Sequence, residues 1–335
     1  MKSQLRNFLS GLALFAVAVS NASAAVTNSP ATDPRARPAN DPGAPLNLAA
    51  YSPDTLPGNG LSQHPFLYAG QYDFRNPVQK IFIVRDGKIV WTYEIPTYAS
   101  DATKTLQEIS DATLVSNGNV VFARKTGAGV VTSDKKLIWN YDAPPGCEVH
   151  VCKPFGLDRV MIVQNGRPAK LMIINIVTGK TEKEFELPTD PKGVVHTQFR
   201  RAHMTLAGTF LVAHHDQDKV VEYDADGKEI WSVAAHIPWD AVRLHNGNTL
   251  ISSHDAYVRE VNPKGETVWE FTQKDAPGIA LWTLPEAARL ENGNTLISNW
   301  CPAGVVDAKG AKATAKWPSS VQLLEVTPDK KIVWA

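Results

Sequence analysis

The stretch Leu244-His245-Asn246-Gly247-Asn248-Thr249-Leu250-Ile251, followed by Pro263-Lys264-Gly265-Glu266-Thr267-Val268-Trp269, decides the fold. Asn-Gly between apolar runs is a hairpin signal, because the two central residues of a tight hairpin turn must accept positive φ. The second phrase sets another glycine turn before a strand that carries an indole. Together they describe two hairpins, hence four short antiparallel strands in about 35 residues.

Both phrases recur along the chain. The Asn-Gly phrase returns as Ser116-Asn117-Gly118-Asn119-Val120-Val121 and Glu291-Asn292-Gly293-Asn294-Thr295-Leu296, with Leu206-Ala207-Gly208-Thr209-Phe210 as a weaker copy. The turn-strand-tryptophan phrase returns at Asp86-Gly87 to Trp91, Asp134-Lys135 to Trp139, Asp226-Gly227 to Trp231 and Asp329-Lys330 to Trp334. Thr178-Gly179-Lys180 leads instead to Phe185. A period near 40 residues with four strands per unit is that of a β-propeller blade. A lone blade cannot bury both faces, so stacked blades supply the core and the outer tryptophans are expected as blade-to-blade wedges. Six units are expected, near 62–98, 106–143, 148–188, 196–235, 239–273 and 283–335, the last with an insertion near 305–316; seven is the alternative count. The first unit shows three clear strands and the chain stops in an outer strand. Either a leading segment completes that blade, or a further C-terminal strand would close the ring.

Upstream of the repeats, Lys2 and Arg6 precede the apolar run Phe8 to Val19 and the small-residue site Ala22-Ser23-Ala24. This is the pattern of a secretory signal peptide over residues 1–24, too short to span a bilayer. Residues 25–60 read as a proline-rich leader and 61–335 as the propeller, in a periplasmic or secreted protein without an integral membrane segment after cleavage. Without Lys2 and Arg6 the 34 basic residues become 32 against 34 acidic ones. That balance gives no footprint for nucleic acid, and a monomer is expected.

The tandem Asp-Gly-Lys-x-x-x-Trp and Asn-Gly-Asn-Thr-Leu-Ile phrases resemble the PQQ-like β-propeller repeat proteins of bacteria, over about Leu61 to Ala335. The resemblance implies the fold and leaves the activity open. PQQ itself is not expected, because the quinone-dependent dehydrogenases use eight blades and adjacent cysteines, whereas Cys147, Cys152 and Cys301 are separated. The chain also resembles, more distantly, the six-bladed arylsulfotransferases with their central histidine, though their catalytic motif has no residue-by-residue match here.

The repeat supplies geometry for a site. If the Asn-Gly turn joins the innermost strand to the second, equal offsets from its glycine mark equal heights around the axis. Seven residues back stand Asp111, Arg201, Asp240 and Glu286, each followed by alanine; seven forward stand Lys125, His215, His254 and Trp300. His150, His196, Trp239 and Trp282 approach the same face. Charges so placed can simply hold blades together, but their change of type around the ring favours an asymmetric ligand: a small molecule, a carbohydrate or a peptide. The leading expectation is a binding or scaffold propeller. The alternative is an arylsulfotransferase-like or lyase-type enzyme using His196 or His254. Alternation along the strand makes Arg200, His203 and Arg243 weaker candidates. No cofactor is indicated, and no metal is expected because no short ligand motif exists. A disulfide is expected either between Cys147 and Cys152 or from one of them to Cys301.

Overall fold

The computed structural model describes residues 56–70, 76–100, 105–300 and 321–335. These form antiparallel sheets in strict chain order, one per repeat, arranged as a six-bladed propeller. Blade 1 contains β1 (Phe66–Ala69), β2 (Val78–Arg85) and β3 (Lys88–Pro96). Blade 2 contains β4 (Ile109–Leu114), β5 (Val120–Arg124), β6 (Gly127–Val131) and β7 (Leu137–Asp142). Blade 3 follows with β8 (Glu148–Phe155), β9 (Arg159–Asn165), β10 (Ala169–Asn175) and β11 (Thr181–Leu187). Blade 4 has β12 (Phe199–Met204), β13 (Phe210–His214), β14 (Lys219–Tyr223) and β15 (Glu229–Ala234). Blade 5 has β16 (Pro238–Arg243), β17 (Thr249–Ser253), β18 (Val258–Val261) and β19 (Thr267–Phe271). Blade 6 has β20 (Ala287–Arg289), β21 (Thr295–Ser298), β22 (Leu323–Val326) and β23 (Ile332–Trp334). The signal-peptide and leader expectations fall outside the described residues, apart from 56–60. No helix among the described residues is long and apolar enough to cross a membrane.

The Asn-Gly turns join the first strand of a blade to the second as expected, but by a different turn. Gly247 N–H donates to Leu244 O at 3.0 Å and Leu244 N–H to Asn248 O at 2.8 Å, with Gly247 at φ 85°. Of the two central residues only the glycine has positive φ. This is a three-residue loop with the glycine in the left-handed position. Asn246 serves through its side chain instead: Oδ1 accepts from Asn248 N–H at 3.0 Å, and Nδ2 donates to Glu260 at 3.1 Å.

Those asparagines belong to a latch between blades. Glu260 also accepts from Asn248 at 2.7 Å and from Arg289 of blade 6 at 2.6 Å. The Arg289 guanidinium lies 5.1 Å from the Trp269 ring, whose Nε1–H donates to Pro328 O of blade 6 at 2.8 Å. One seam earlier, Glu222 pairs with Arg243, Arg243 covers Trp231, and Trp231 donates to Pro263 O at 2.9 Å. At the closing seam Glu325 binds Asn292, Asn294 and, from the segment before β1, Gln63 and His64. Burial opposes its ionisation, but these hydrogen bonds hold its carboxyl at about 2. Trp334 donates to Gly60 O at 2.7 Å and so ties the last strand to the first blade.

Apolar side chains fill the other seams. Blades 3 and 4 share Val163, Leu171, Phe199, Phe210, Val221 and Tyr223, and similar clusters join blades 1 and 2, 2 and 3, 4 and 5, and 5 and 6. Between blades 6 and 1 there is instead a cavity of about 470 Å³, lined by β1, β20 and β21 and reaching Ser110 and Arg201. Blade 1 has three strands among the described residues. Its β3 carries Trp91 opposite Ile83 just as β7 carries Trp139 opposite Val130, so the position without a described strand is the innermost.

Cys147 and Cys152 are not joined to each other, which corrects the expectation of a local bridge; Cys301, the other expected partner, lies outside the described residues. Extended chain advances about 3.3 Å per residue, so five residues separate the pair by about 16 Å, far beyond the ~7 Å a disulfide allows.

Two outcomes test this account. Trp269→Phe keeps the wedge but loses the indole donor and the better cation–π face, and should cost about 1 to 2 kcal/mol in urea unfolding; unchanged stability would show that the latch is ornamental. His214 lies in the core with Nε2 2.8 Å from the Tyr223 hydroxyl, and burial holds its pKa at about 3. Its value in the unfolded chain is about 6.5, so below that pH the unfolded state binds the extra proton and stability falls, down to about pH 3. His214→Gln keeps an acceptor for Tyr223 and should remove up to about 2 to 3 kcal/mol of the loss between pH 7 and 4.5; an unaltered acid limb would refute the assignment.

Candidate functional site

Residues equidistant from the Asn-Gly turns do gather at the opposite end of the blades, but a feature invisible to alternation decides which ones meet. Each of the inner strands β4, β8, β12 and β16 shifts register at one place, between Ile109 and Asp111, Val149 and Val151, Phe199 and Ala202, and Pro238 and Asp240. A β-bulge re-aims the extra residue. In blades 3, 4 and 5 the residues in these bulges include His150, Arg200 and Trp239, and they form a chain. Arg200 Nη1 lies 3.3 Å from His150 Nδ1, and its guanidinium sits 4.9 Å from the Trp239 ring.

Around this chain the upper group assembles. His254 stacks on Trp239 at 5.8 Å and 21°, Trp300 lies 6.1 Å from Trp239, and His215 meets both Trp239 and His254 edge-on at 5.9 Å. Trp282 is the neighbour of Trp300 through the Thr283–Trp300 bridge, and its N–H donates to Asn299. On the other side, Glu148 Oε2 takes His196 Nδ1 at 2.7 Å and His150 Nε2 at 2.9 Å, while Lys125 Nζ reaches Oε1 at 3.2 Å. Glu108, wholly buried, pairs with Arg200 at 3.3 Å and lies 3.9 Å from His196 Nε2.

Electrostatics keep this group poised. Burial, with the Arg200 charge added, lowers His150 to about 4 and also depresses His254 and His215. Burial disfavours the Glu148 carboxylate, but hydrogen bonds from His150 and His196 outweigh it and hold the group well below the usual range. His215 Nδ1 faces Thr197 O at 3.1 Å. A carbonyl can only accept, so Nδ1 carries the proton, and the buried Nε2 is a bare acceptor with no partner.

The lower group holds the four residues predicted to ring the axis. Asp111 is buried and bound by Lys153 at 2.7 Å and by Cys152 N–H at 3.3 Å, with Arg201 3.6 Å away. Arg201 also reaches Glu286 at 4.0 Å, and Asp240 binds His203 at 2.8 Å. Burial alone would lower Lys153, yet Asp111 beside it raises its pKa; Asp240 is held low by His203 against the burial penalty. Arg201 Nε has no hydrogen-bond partner and Glu286 is exposed. Both line the cavity between blades 6 and 1, as does Trp300.

Sequence reasoning therefore missed Glu108, Glu148 and Lys153 and ranked Arg200 and His203 too low. Arg200 was discounted on alternation, which its bulge interrupts. Lys153 sits on β8, whose turn, Gly156-Leu157, carries neither the Asn-Gly phrase nor its weaker copy and so gave no offset to count from. Arg243 does point away from the site, into the latch. Although no short metal motif marks them, Glu148, His150 and His196 bring three ligand-type atoms within 4.8 Å of one another from two segments of the chain.

Residues 194–299 match the family model described as outer membrane protein assembly factor BamB, a PQQ-like repeat, and cover blades 4 and 5 with the start of blade 6. The structure is similar to that of a protein of unknown function from Bacteroides caccae, at 24% identity and TM-score 0.65 over 81% of this chain and 92% of that one. It is also similar to a streptogramin B lyase, at 14% identity and TM-score 0.50 over 79% and 86%. Virginiamycin B lyase from Staphylococcus aureus, solved with quinupristin, aligns at 13% identity and TM-score 0.50 over 80% and 98%. At these identities the likeness is one of fold. No curated protein matches the chain in sequence. The chain is thus a six-bladed β-propeller whose residues 194–299 match a PQQ-like repeat model, with its functional chemistry to be read from its own residues.

The Asp111–Lys153 pair separates structural from binding roles in the lower group. Lys153→Met leaves a buried carboxylate exposed to its desolvation cost and should destabilise by about 3 to 5 kcal/mol, whereas Lys153→Met with Asp111→Leu should recover most of it. Urea unfolding of the three variants measures this; a mild single-variant effect would mean that Asp111 has other support.

Proposed function

We propose that this propeller is a binding protein that receives a small polar molecule at the end of the channel opposite the Asn-Gly turns. The observation that carries the reading is the succession of unlike side chains at the inner-strand bulges: an imidazole, a guanidinium and an indole, at His150, Arg200 and Trp239. A device that only held blades together would repeat one solution, as the latch does with Glu222, Glu260 and Glu325. Unlike groups at rotationally related places instead suit a ligand without symmetry, with aromatic surface for contact and a few convergent polar atoms for orientation. The bare Nε2 of His215 calls for a donor, so the ligand carries a hydroxyl or N–H group, as a sugar or a peptide does. An N-terminal signal sequence would place this protein in the periplasm or outside the cell, where such ligands are met.

A second reading has its own support. Glu148 orients His196 at 2.7 Å and leaves Nε2 outside hydrogen-bond distance of Glu108, which lies 3.9 Å away, the arrangement of an acid–base catalyst. It makes the bound molecule a substrate.

Differential scanning fluorimetry of the mature protein against monosaccharides, oligosaccharides and short peptides, followed by calorimetry, tests both readings. Replacing His215 by Phe should weaken the best ligand at least tenfold with little change in melting temperature. Equal affinity in that variant would overturn the proposed pocket. Conversion of the ligand by the wild-type protein, lost in His196→Asn while binding persists, would establish the catalytic reading.

A further inference from the structure

We propose that Glu148, His150 and His196 form a binding site for one divalent transition-metal ion of the zinc type, with Glu108 as the outer carboxylate behind His196 and Arg200 as the group that competes with the ion. This goes beyond the organic-ligand reading and does not depend on it.

The donor set is the first argument. Glu148 Oε2, His150 Nε2 and His196 Nδ1 lie within 4.8 Å of one another, His150 fully buried and the other two partly so. Two imidazoles and one carboxylate are the ligand pattern of zinc sites that keep a coordination position for solvent or substrate. Metal–ligand bonds near 2.0 to 2.1 Å in a tetrahedral arrangement place donor atoms about 3.4 Å apart. The carboxylate now touches the two rings at 2.9 and 2.7 Å, so each contact must open by about half an ångström, within the reach of side-chain rotation.

The surroundings supply the second argument. Without metal, the tautomers are fixed by neighbours: His196 Nδ1 faces a carboxylate and carries its proton there, and His150 Nδ1 faces Arg200, which can only donate, so His150 carries its proton on Nε2. To bind an ion, each ring must move that proton to its other nitrogen. For His196 the other nitrogen already looks at Glu108, 3.9 Å away, so the displaced proton has an acceptor. Outer carboxylates of this kind orient metal-bound histidines. For His150 the other nitrogen looks at Arg200, where two donors would oppose each other. Arg200 must therefore leave His150, and it retains Glu108 and the Trp239 face when it does. The ion and the Arg200–His150 contact exclude one another. The same proton shift conflicts with acid–base use of His196, since the metal takes the Nδ1 lone pair that the Glu148 hydrogen bond needs protonated.

Zn²⁺ titration of the chelator-treated mature protein by calorimetry, with Co²⁺ as the visible-absorption probe, tests the site. The expected result is one ion per chain, Co²⁺ bands of low-coordinate N/O geometry, and a rise in melting temperature with ion concentration. His196→Ala, at a partly exposed position, should weaken binding at least tenfold while its melting temperature without metal stays near wild type. Arg200→Met should tighten binding several-fold, which no adventitious surface site would show. Should His150→Ala fail to fold, these two variants still decide the matter. Absence of saturable binding, or binding unchanged in both His196→Ala and Arg200→Met, would overturn the proposal.

Discussion

An indole N–H handed to a backbone carbonyl of the next blade is the contact on which the rest of the molecule depends. A four-stranded sheet has two faces to cover and no partner of its own, so its stability is settled at its seams. The outer-strand tryptophan reaches across the seam, and at three seams a glutamate on the neighbouring strand secures it, bound by its own turn and by the first residues of the next blade. Polar groups that would be costly if left alone in the seam thus satisfy one another. Because four of the seams are closed at the rim by an indole donor, from Trp91, Trp231, Trp269 and Trp334, the inner strands are free to carry residues that stability does not require.

That division of labour explains how legible the chain was. Turn glycines, alternating strands and rim tryptophans are short-range features with fixed local geometry, and the six blades and their outer strands follow from them directly. The approximate height of Asp111, Asp240 and Arg201 was legible too, since equal offsets in equal repeats are carried into space by rotation. What could not be read was the bulge. One extra residue in β12 turns Arg200 from the flank of its blade toward His150 and Trp239, and the sequence around it, Phe199-Arg200-Arg201-Ala202, gives no sign of the change. Glu148 and Glu108 lie at strand starts outside any counted position. They are found only when blades 2 and 3 are seen side by side.

The two polar groups of the channel differ in how much freedom they have left. Below, Asp111 is bound by Lys153 and Asp240 by His203, with both carboxylates deeply buried. Above, carboxylates, imidazoles and a guanidinium share too few protons and too few partners for a single arrangement, and Glu148 alone is claimed by three bases. Such a group has alternative hydrogen-bond patterns of similar energy, and a bound molecule or ion can choose among them. The adaptable layer stands on the rigid one.

The bond from Trp334 to Gly60 joins residues 274 positions apart, whereas Trp91, Trp231 and Trp269 each reach a blade that follows directly in the chain. Five seams can form by local collapse of consecutive units as a chain zips along its own length, but the sixth must close a circle. Loop closure grows only as the logarithm of length, and for this span costs about 5 kcal/mol. The last seam is therefore affordable in equilibrium and late in time: an arc of joined blades precedes the ring, and the gap between blades 6 and 1 is where that arc opens when it unfolds.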